Sequence, residues 1–298
     1  MFDLSRTKLT FSSLSRILPI LLSVMSATPA RAQAPLDIIV VKRSGVSAYQ
    51  EVTDEFAENC RVRARVVNLG DGPLRFHPND VVLAVGQQAV DAVLETPARM
   101  VSALAFHVPA RAIAADAIPP PELSLRALKA ARPSVRRVGV VYGPRTEALV
   151  ASMEAPARVL GLQLVRARAT DGPGAVRALH LIAHAVDAIW LAPDLDVLVP
   201  QLFQYALGLQ IRENLPLVVV TRQQVKSGGL LAVDAEPRAV GRQAAQLVNE
   251  LLAGTPAETL VEAGQTGTLD LVVNGDVARR LGADLASLKA LGLSARIE

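Results

Sequence analysis

Cysteine and aromatic residues are scarce in this sequence. Cys60 is the single cysteine among 298 residues, which excludes an intramolecular disulfide and a cysteine-cluster metal site. Phe, Trp and Tyr together make up only 3% of the chain, too few for the base-stacking platforms of single-strand nucleic-acid binders or the aromatic belts of membrane proteins. Charge of one sign is not concentrated either. The formal net charge of +3 is spread without long like-charged blocks, so we predict no nucleic-acid partner.

Motifs of common enzymes and cofactor sites are also missing. Gly70-Asp71-Gly72 and Gly172-Pro173-Gly174 lack the third glycine of a dinucleotide-binding loop, and no serine-hydrolase elbow of the form G-x-S-x-G is visible. His180 and His184 have the spacing of a zinc pair, but Leu181 stands where a zinc hydrolase carries its glutamate base, and no third ligand is evident. We therefore interpret the histidines as a structural or solvated pair, and we predict no metal and no cofactor.

The amino terminus has the features of a secretory signal peptide. Basic residues precede a short apolar run at residues 17–25, and Ala30-Arg31-Ala32 places small residues at the two positions that signal peptidase reads. The alternative, a membrane anchor, needs about 20 apolar residues, and this run is about half as long. We predict a signal peptide at residues 1–32, a mature chain that begins at Gln33 and a periplasmic location. No cysteine directly follows the apolar run, so a lipid anchor is not indicated.

The clearest structural unit lies at residues 135–169. Two arginines lead into an apolar, β-branched run that breaks at Gly143-Pro144. Apolar residues then recur at helical spacing, and an extended pattern resumes after Gly161. This order predicts a strand, a loop, a helix and a second strand, which is the βαβ unit of a parallel sheet. Tyr142 falls at the carboxyl end of the first strand, where open α/β sheets bind their ligands.

The same alternation of strand and helix repeats along the chain. At least seven apolar strand patterns alternate with helical ones, and a proline-rich segment at residues 117–121 separates them into two groups. The length of the chain, with 51% hydrophobic residues, suits two lobes better than one. The sequence therefore predicts an α/β fold of two Rossmann-like lobes, each a mostly parallel sheet flanked by helices.

Polar residues near the ends of predicted strands are candidate ligand contacts. Asp194 is suited to accept hydrogen bonds from an ammonium or hydroxyl group, but capping the following helix is an equally good role. Asp196 lies two residues further on, and no partner group identifies an acid–base reaction for the pair. Tyr142 is suited either to stack on a ligand or to pack at the edge of the core. Arg222 is placed to hold a carboxylate, although a solvated arginine is the more common outcome.

A series of short motifs follows one another along the chain. In the first half they are Lys42-Arg43-Ser44, Tyr49-Gln50-Glu51, Asn68, Gly70-Asp71 and Val85-Gly86-Gln87-Gln88-Ala89. In the second half they are residues 121–129, 132–142, 186–191 with Asp194, 228–232, 241–245, 273–274 with Ala278, and Leu281-Gly282. Together, and in this order, they resemble the ABC-transporter substrate-binding protein family that includes the tryptophan- and tyrosine-type binding proteins. The resemblance covers nearly all of the predicted mature chain.

This resemblance implies a type I periplasmic binding protein fold, in which two lobes joined by three crossovers close on a small molecule. It implies a first lobe of residues 33–118 with 232–262 and a second lobe of residues 119–231 with 263–298. The helix at residues 238–252 is expected to pack on the first lobe. The implied ligand contacts lie on the loops that line the family's cleft: Ser44, Gly86, Gln87, Tyr142, Asp194 and Thr221.

Two departures from the family pattern concern the cleft. Tyr142-Gly143-Pro144 stands where the family usually has Tyr-Asn-Pro, and Glu147-Ala148 lies near the place of an Asn-Ser pair. The first lobe also looks shortened around residues 108–115. Both changes affect the loops from which a ligand would be held.

The expected function is that of a periplasmic substrate-binding protein of an ABC importer. Such a protein captures a small solute, an amino acid or a similar compound, between its lobes as a monomer and delivers it to a permease in the inner membrane. The alternative is a periplasmic sensory or accessory module that uses the same fold to bind a protein partner. An enzyme is a third class, and it would need a converging acid, base or metal that this sequence does not display.

Overall fold

The computed structural model describes residues 36–115, 119–262 and 269–297. The predicted signal peptide at residues 1–32 and the predicted mature start at Gln33 lie outside these residues. Within the described ranges, no helix has both the length and the apolar character that a membrane crossing requires.

Strands and helices alternate through most of the described chain. The strands are β1 Ile38–Lys42, β2 Arg65–Asn68, β3 Val81–Val85, β4 Arg99–Ala103, β5 Ile113–Ala114, β6 Arg137–Tyr142, β7 Gln163–Arg168, β8 Ala188–Leu191, β9 Leu217–Val218, β10 Leu231–Ala235, β11 Leu269–Val273 and β12 Ser294–Ile297. The helices are α1 Ser47–Asn59, α2 Gln87–Leu94, α3 Pro121–Ala131, α4 Glu147–Ser152, α5 Glu154–Val159, α6 Gly172–Ile182, α7 Pro200–Glu213, α8 Arg222–Lys226, α9 Pro237–Leu252, α10 Ala257–Glu262, α11 Gly275–Arg280 and α12 Leu285–Lys289.

The strands form two sheets, and each sheet with its helices makes one lobe. The first lobe has five parallel strands in the order β2-β1-β3-β4-β5. The second lobe has seven strands in the order β12-β11-β10-β9-β8-β6-β7, which are parallel except where β10 meets β11. The predicted fold class, two lobes of mostly parallel sheet flanked by helices, is therefore confirmed, and the βαβ unit at residues 135–169 corresponds to β6 through β7.

The chain passes between the two sheets three times: between β5 and α3, after β10, and between α10 and β11. The second crossing lies later than the boundary expected at residue 232. Leu231 and Val233 are buried in the core on one side of the second sheet and Ala232 in the core on the other, so β10 cannot leave this sheet. Ala235 is the first residue after them to pack with the first lobe, and the crossing falls at Glu236.

Helix α9 belongs to the first lobe although it directly follows a strand of the second. Its apolar stripe, which includes Val240, Ala244 and Val248, is buried in one core with Val52 and Phe56 of α1. The side chain of Asn249 in α9 accepts a hydrogen bond from the backbone N–H of Arg61 and donates one to the carbonyl of Asn59. These bonds fix the end of α1 on α9, so the crossing at Glu236 is tied to both lobes.

Candidate functional site

A cavity of about 520 Å³ lies between the two lobes. The first lobe contributes the amino-terminal turn of α1 and the loop after β4, and the second lobe contributes the start of α8 and the end of β10. These segments lie at the carboxyl ends of parallel strands, where loops of open α/β sheets converge on ligands. The side chains that decide its chemistry are Ser47, Tyr49, Glu51, Phe106, Thr221, Arg222 and Asp234.

Tyr49 forms the first-lobe wall of the cavity from the first turn of α1. Its ring lies over Gly86, where a Cβ atom would come within 2.3 Å of the Tyr49 hydroxyl oxygen. Gly86 has φ +86°, a conformation that favours glycine, so this residue both makes the turn before α2 and leaves room for the ring. Within the described ranges the hydroxyl of Tyr49 has no hydrogen-bond partner. Burial raises the pKa of the phenol above 10.0, so it stays a neutral donor and acceptor at physiological pH.

The loop after β4 carries Phe106 into the cavity and is held by the side chain of Gln87. The amide oxygen of Gln87 accepts hydrogen bonds from the backbone N–H groups of Phe106 at 3.1 Å and His107 at 2.8 Å. Its amide nitrogen donates to the carbonyl of His107 and to Asp91. Leu104 in this loop has φ 52°, a strained conformation for a leucine. A strained loop of this kind persists only when its surroundings fix it, and Gln87 supplies that constraint.

The second-lobe wall is organised by Asp234, at the end of β10. One carboxylate oxygen accepts a hydrogen bond of 2.8 Å from the backbone N–H of Arg222 at the start of α8. The hydroxyl of Thr221 caps the same helix by accepting from the N–H of Gln224. Burial raises the pKa of Asp234, and the N–H groups of Arg222 and Ala235 together with the Arg222 charge oppose this rise. The carboxyl group thus holds α8 while it borders the cavity.

A chain of ion pairs runs from this wall towards the first lobe. Asp270, which is 1% exposed, accepts a hydrogen bond of 2.8 Å on one oxygen from Arg222, and the Nε of Arg296 lies 2.7 Å from the same oxygen in an ion pair. Its other oxygen and the Nε of Arg222 are both buried without a partner, so this arginine and carboxylate are joined by a single hydrogen bond. Arg296 then lies 3.9 Å from Glu236, the residue of the crossing.

The chain of ion pairs continues into the first lobe beyond the crossing. Glu236 lies 3.9 Å from Arg242 in α9, and Arg242 in turn contacts Glu55 of α1 at 2.7 Å. Glu236 also caps α9, because its side chain accepts a hydrogen bond from the N–H of Ala239. Alternating charges therefore connect the cavity wall, the crossing and α1.

The architecture and the position of the cavity agree with the result of a family comparison. The family model for ABC transporter substrate-binding proteins matches residues 122–287, more than half of the chain. This chain belongs to the ABC transporter substrate-binding protein family. Members of the family bind solutes and are typically extracellular or periplasmic. No protein with a curated description matches the sequence.

Solved structures with the same fold include other binding proteins. A domain from Streptococcus pneumonia in complex with L-Trp is 18% identical with a TM-score of 0.67, and the match covers 88% of this chain and 100% of that one. A conserved domain protein from Vibrio cholerae is 17% identical with a TM-score of 0.65, over 88% and 100% of the two chains. A substrate-binding protein with adhesive properties from Clostridium difficile, in a ligand-free, open structure, is 14% identical with a TM-score of 0.63, over 88% and 99%. At these identities the likeness concerns the fold.

Three of the residues expected to bind the solute lie at or beside the cavity of this substrate-binding protein. Thr221 lines it. Ser44 is exposed and directly precedes Gly45, which lines it. Gly86 is buried beneath Tyr49 and acts through that ring. Gln87 does not contact the cavity, since all of its hydrogen-bonding capacity is used to hold the loop after β4. In this structure Gln87 positions the loop after β4.

Asp194 is a structural residue in this arrangement. Its side chain is fully buried and accepts hydrogen bonds of 3.0 Å from the hydroxyl of Thr146 and from the backbone N–H of Asp196. A Cβ atom at Gly143 would come within 2.6 Å of the carboxylate, so the glycine that departs from the family pattern leaves room for it. Asp194 therefore joins the loops after β6 and β8. The predicted capping role is wrong, because α7 begins at Pro200 with Val199 as its N-cap and without a side-chain cap bond. The carboxylate of Asp194 is engaged by Thr146 and Asp196 and does not line the cavity.

The part of the cleft beside these loops is nearly closed. A crevice of only about 30 Å³ is left there between Phe106, Leu149, Trp190 and Val219, enough for about one water molecule. Tyr142 is half-buried and packs at the edge of the second-lobe core instead of lining either space. Of the two expected ligand contacts at the ends of β6 and β8, Tyr142 is therefore engaged in apolar packing and Asp194 in hydrogen bonds within the protein.

Tyr49 and Asp234 line the cavity although the sequence did not predict them as ligand contacts. For Arg222, a solvated role was expected as the more common outcome. Asp234 had a detectable signal, because it is a lone acid at the end of a buried strand pattern, as Asp194 is. Tyr49 had no comparable sequence signal apart from its place in the motif Tyr49-Gln50-Glu51, because its position depends on Gly86, which lies in another part of the chain. The guanidinium of Arg222 is 18% exposed and paired with Asp270 rather than solvated.

The histidine pair matches its interpretation as a structural or solvated pair. The Nδ1 atom of His180 lies 2.8 Å from the hydroxyl of Tyr205, and His184 lies 3.7 Å from Glu213 at an exposed position. Within residues 36–115, 119–262 and 269–297, no three or more His, Cys, Asp or Glu side chains are arranged to hold a metal ion.

Proposed function

We propose that this protein is a periplasmic substrate-binding protein of an ABC importer that captures a small solute in the interlobe cavity. The observation that carries the proposal is the cavity itself. Its volume of about 520 Å³ falls within the roughly 300–1,000 Å³ of small-molecule sites, which combine apolar walls with a few placed polar groups. Phe106 and Leu104 supply the apolar part, and Tyr49, Thr221 and Asp234 supply polar groups from both lobes.

The proposed solute is an amino acid or a compound of similar size. A relative in fold holds L-Trp, and this cavity offers the acidic, hydroxyl and aromatic groups that an amino acid needs. Thr221 and the loop of Ser44 and Gly45 are proposed to contact the solute directly. Gly86 and Gln87 are proposed to support it by positioning Tyr49 and Phe106.

Capture is proposed to proceed by closure of the lobes around the three crossings. A solute that touches Tyr49 on one lobe and Asp234 on the other gains both contacts only when the lobes approach, so binding shifts the population towards the closed form. Delivery to an inner-membrane permease, export through the predicted signal peptide and a monomeric state complete the proposal. No chemical step on the solute is proposed.

A screen of solutes by thermal melting tests this function. The mature chain is melted with amino acids, short peptides, nucleosides, sugars and small carboxylates, and any hit is followed by small-angle scattering. A solute present at about 100 times its dissociation constant stabilises the fold by roughly 2.7 kcal/mol. We expect a rise in Tm together with a smaller radius of gyration. A broad library with no hit would contradict solute capture.

The second candidate is a sensory or accessory module that binds a protein partner through this fold. The nearly closed crevice beside Trp190 favours it, because that part of the cleft is filled by the protein's own side chains. The open cavity beside Tyr49 favours solute capture. A partner-binding module is expected to melt independently of all solutes.

A further inference from the structure

We propose that Asp234 anchors a protonated amine of the solute, with the hydroxyl and ring of Tyr49 completing the amine site from the other lobe. This inference rests on the proposed function and deepens it by naming the chemical class of the solute, an aliphatic amine or a zwitterion. Four observations about the cavity lead to it: the exposure of Asp234, its lack of an ionic partner, the free hydroxyl of Tyr49 and the position of both groups in the lining of one cavity.

The first observation is the position of Asp234 in its strand. The other four residues of β10 are buried, whereas Asp234 is partly exposed and borders the cavity. Its backbone is paired with Asp270 of β11, and its carboxylate is fixed by the N–H of Arg222. The group is therefore held in place before any solute arrives, which lowers the entropic cost of binding.

The second observation is the distribution of charge around Asp234. Three arginines near it are paired with other carboxylates: Arg222 and Arg296 with Asp270, and Arg242 with Glu55 and Glu236. Asp234 itself takes part in no ion pair with the residues that the structure describes, and its direct donors are backbone N–H groups. A buried carboxylate is stabilised when a cation reaches it, and the cavity is the side from which a cation can come.

The third and fourth observations concern Tyr49. Its hydroxyl has no partner within the described ranges, and Tyr49 and Asp234 line the same cavity from different lobes. The charges of Arg43 and Asp234 both act on this phenol, in opposite directions. An ammonium group donates up to three hydrogen bonds, and the face of a tyrosine ring attracts cations. One amine can therefore bind a carboxylate of the second lobe and a phenol of the first. This arrangement makes closure depend on the amine.

Other charges border the cavity and limit what the rest of the solute can be. Glu51 lies on the same wall as Tyr49, and Arg222 and Lys226 lie on the opposite wall. A second, anionic group on the solute is compatible with the basic wall, so a zwitterion fits as well as a simple amine. A solute that carries only anionic groups would place no cation at Asp234.

The experiment compares compounds that differ only in the amine. The probes are L-amino acids against their N-acetyl derivatives, and 1,4-diaminobutane against 1,4-butanediol. Melting and calorimetric titration are measured on the mature chain and on Asp234→Asn, Tyr49→Phe and Asp276→Asn. Asp276 is 91% exposed and does not border the cavity, so its variant removes the same charge elsewhere.

We expect amine-bearing probes to raise the Tm and their neutral partners to leave it unchanged. Asp234→Asn should lower amine affinity at least tenfold, Tyr49→Phe by a few fold, and Asp276→Asn should match the parent protein. Asparagine keeps an oxygen that accepts from the N–H of Arg222, and a Tm of the empty variant that is no lower than that of the parent verifies that α8 stays in place.

Three outcomes overturn the inference, and they differ from a failure of solute capture. Equal binding of an amino acid and its N-acetyl derivative, unchanged amine affinity in Asp234→Asn, or hits confined to sugars and anions would each show that solutes bind without the amine site. If Asp234→Asn fails to fold, equal binding of amines by Tyr49→Phe and the parent protein overturns it. A protein that binds no compound of any class would contradict the proposed function as well.

Discussion

Two aspartates at strand ends of the second lobe look alike in sequence and behave differently in the structure. Asp194 follows β8, and Asp234 ends β10, two strands away in the same sheet. Both acceptors of Asp194 are satisfied inside the protein, by Thr146 and Asp196, and Asp194 does not line the interlobe cavity. Asp234 has one oxygen engaged by Arg222 and borders the cavity. A strand-end acid is therefore a ligand candidate only when its neighbours leave part of its hydrogen-bonding capacity free.

The largest expected effect separates the two aspartates by stability. Asp194→Ala leaves the buried hydroxyl of Thr146 and the N–H of Asp196 without their acceptor, at a cost of about 3 kcal/mol. Urea unfolding measures the difference. The matched control is Asp196→Ala, whose side chain is 47% exposed and whose surface ion pair with Arg145 contributes less than about 1 kcal/mol. Equal stability of the two variants would show that Asp194 does not stabilise the fold.

A smaller effect is expected from the residue that positions Phe106. Gln87→Ala removes four hydrogen bonds from a buried amide and releases the loop after β4, which we expect to cost about 2 kcal/mol in the free energy of unfolding. The affinity for any solute should fall with it, since Phe106 lines the cavity. Gln88→Ala, at the exposed neighbouring position, is the control and should leave both unchanged. A loss of affinity in Gln87→Ala without a loss of stability would instead assign Gln87 to the solute directly.

The smallest expected effect has the opposite sign. Burial raises the pKa of Asp234 in the folded protein, so its charged form is disfavoured there relative to the unfolded chain. Its contribution to stability is present below the unfolded pKa of about 3.9 and is lost as the pH rises through the higher folded value. Asparagine does not ionise, so Asp234→Asn avoids the stability that is lost when the buried carboxyl group becomes charged. The variant should therefore be more stable than the empty parent protein at pH 7 by roughly 1 kcal/mol.

Unfolding of the Asp234→Asn variant and the parent at pH 4 and pH 7 measures this effect. The gain should be present at pH 7 and smaller at pH 4, close to the unfolded pKa of about 3.9, where about half of the unfolded chains also carry the proton on Asp234. A variant that is less stable than the parent at pH 7 would show that Asp234, like Asp194, serves the fold first.

Much of the fold could be predicted because its signals are local. The run of β-branched residues before Gly143-Pro144 and the helical spacing after it depend on residues within one or two turns, and they correspond to β6 and the helices that follow. The placement of α9 on the first lobe came from the resemblance and agrees with its apolar stripe. The crossing after β10 was expected too early, because pairing with the distant β11 keeps Ala232 to Ala235 in the second sheet.

Less of the candidate site could be predicted, because it is made of contacts between distant residues. Thr221, which the resemblance implied as a ligand contact, lines the cavity at the start of a helix that follows a strand. Asp194 and Gln87 were expected at the cavity for the same reason. The carboxylate of Asp194 is instead hydrogen-bonded to Thr146, and the amide of Gln87 is hydrogen-bonded to the backbone of His107. Their surroundings, not their place at strand ends, decide what they can bind.

By itself, the sequence determined the alternation of strand and helix, the division into two lobes and the family, because hydrophobic periodicity and turn residues act over short distances. The tertiary structure alone decided which polar groups are left for a solute. Tyr49 meets the backbone of Gly86 across 37 residues, and Arg222 turns to Asp270 across 48. Such pairings follow from how the lobes pack, since hydrogen-bonding capacity is used up by whichever neighbour the fold brings within reach.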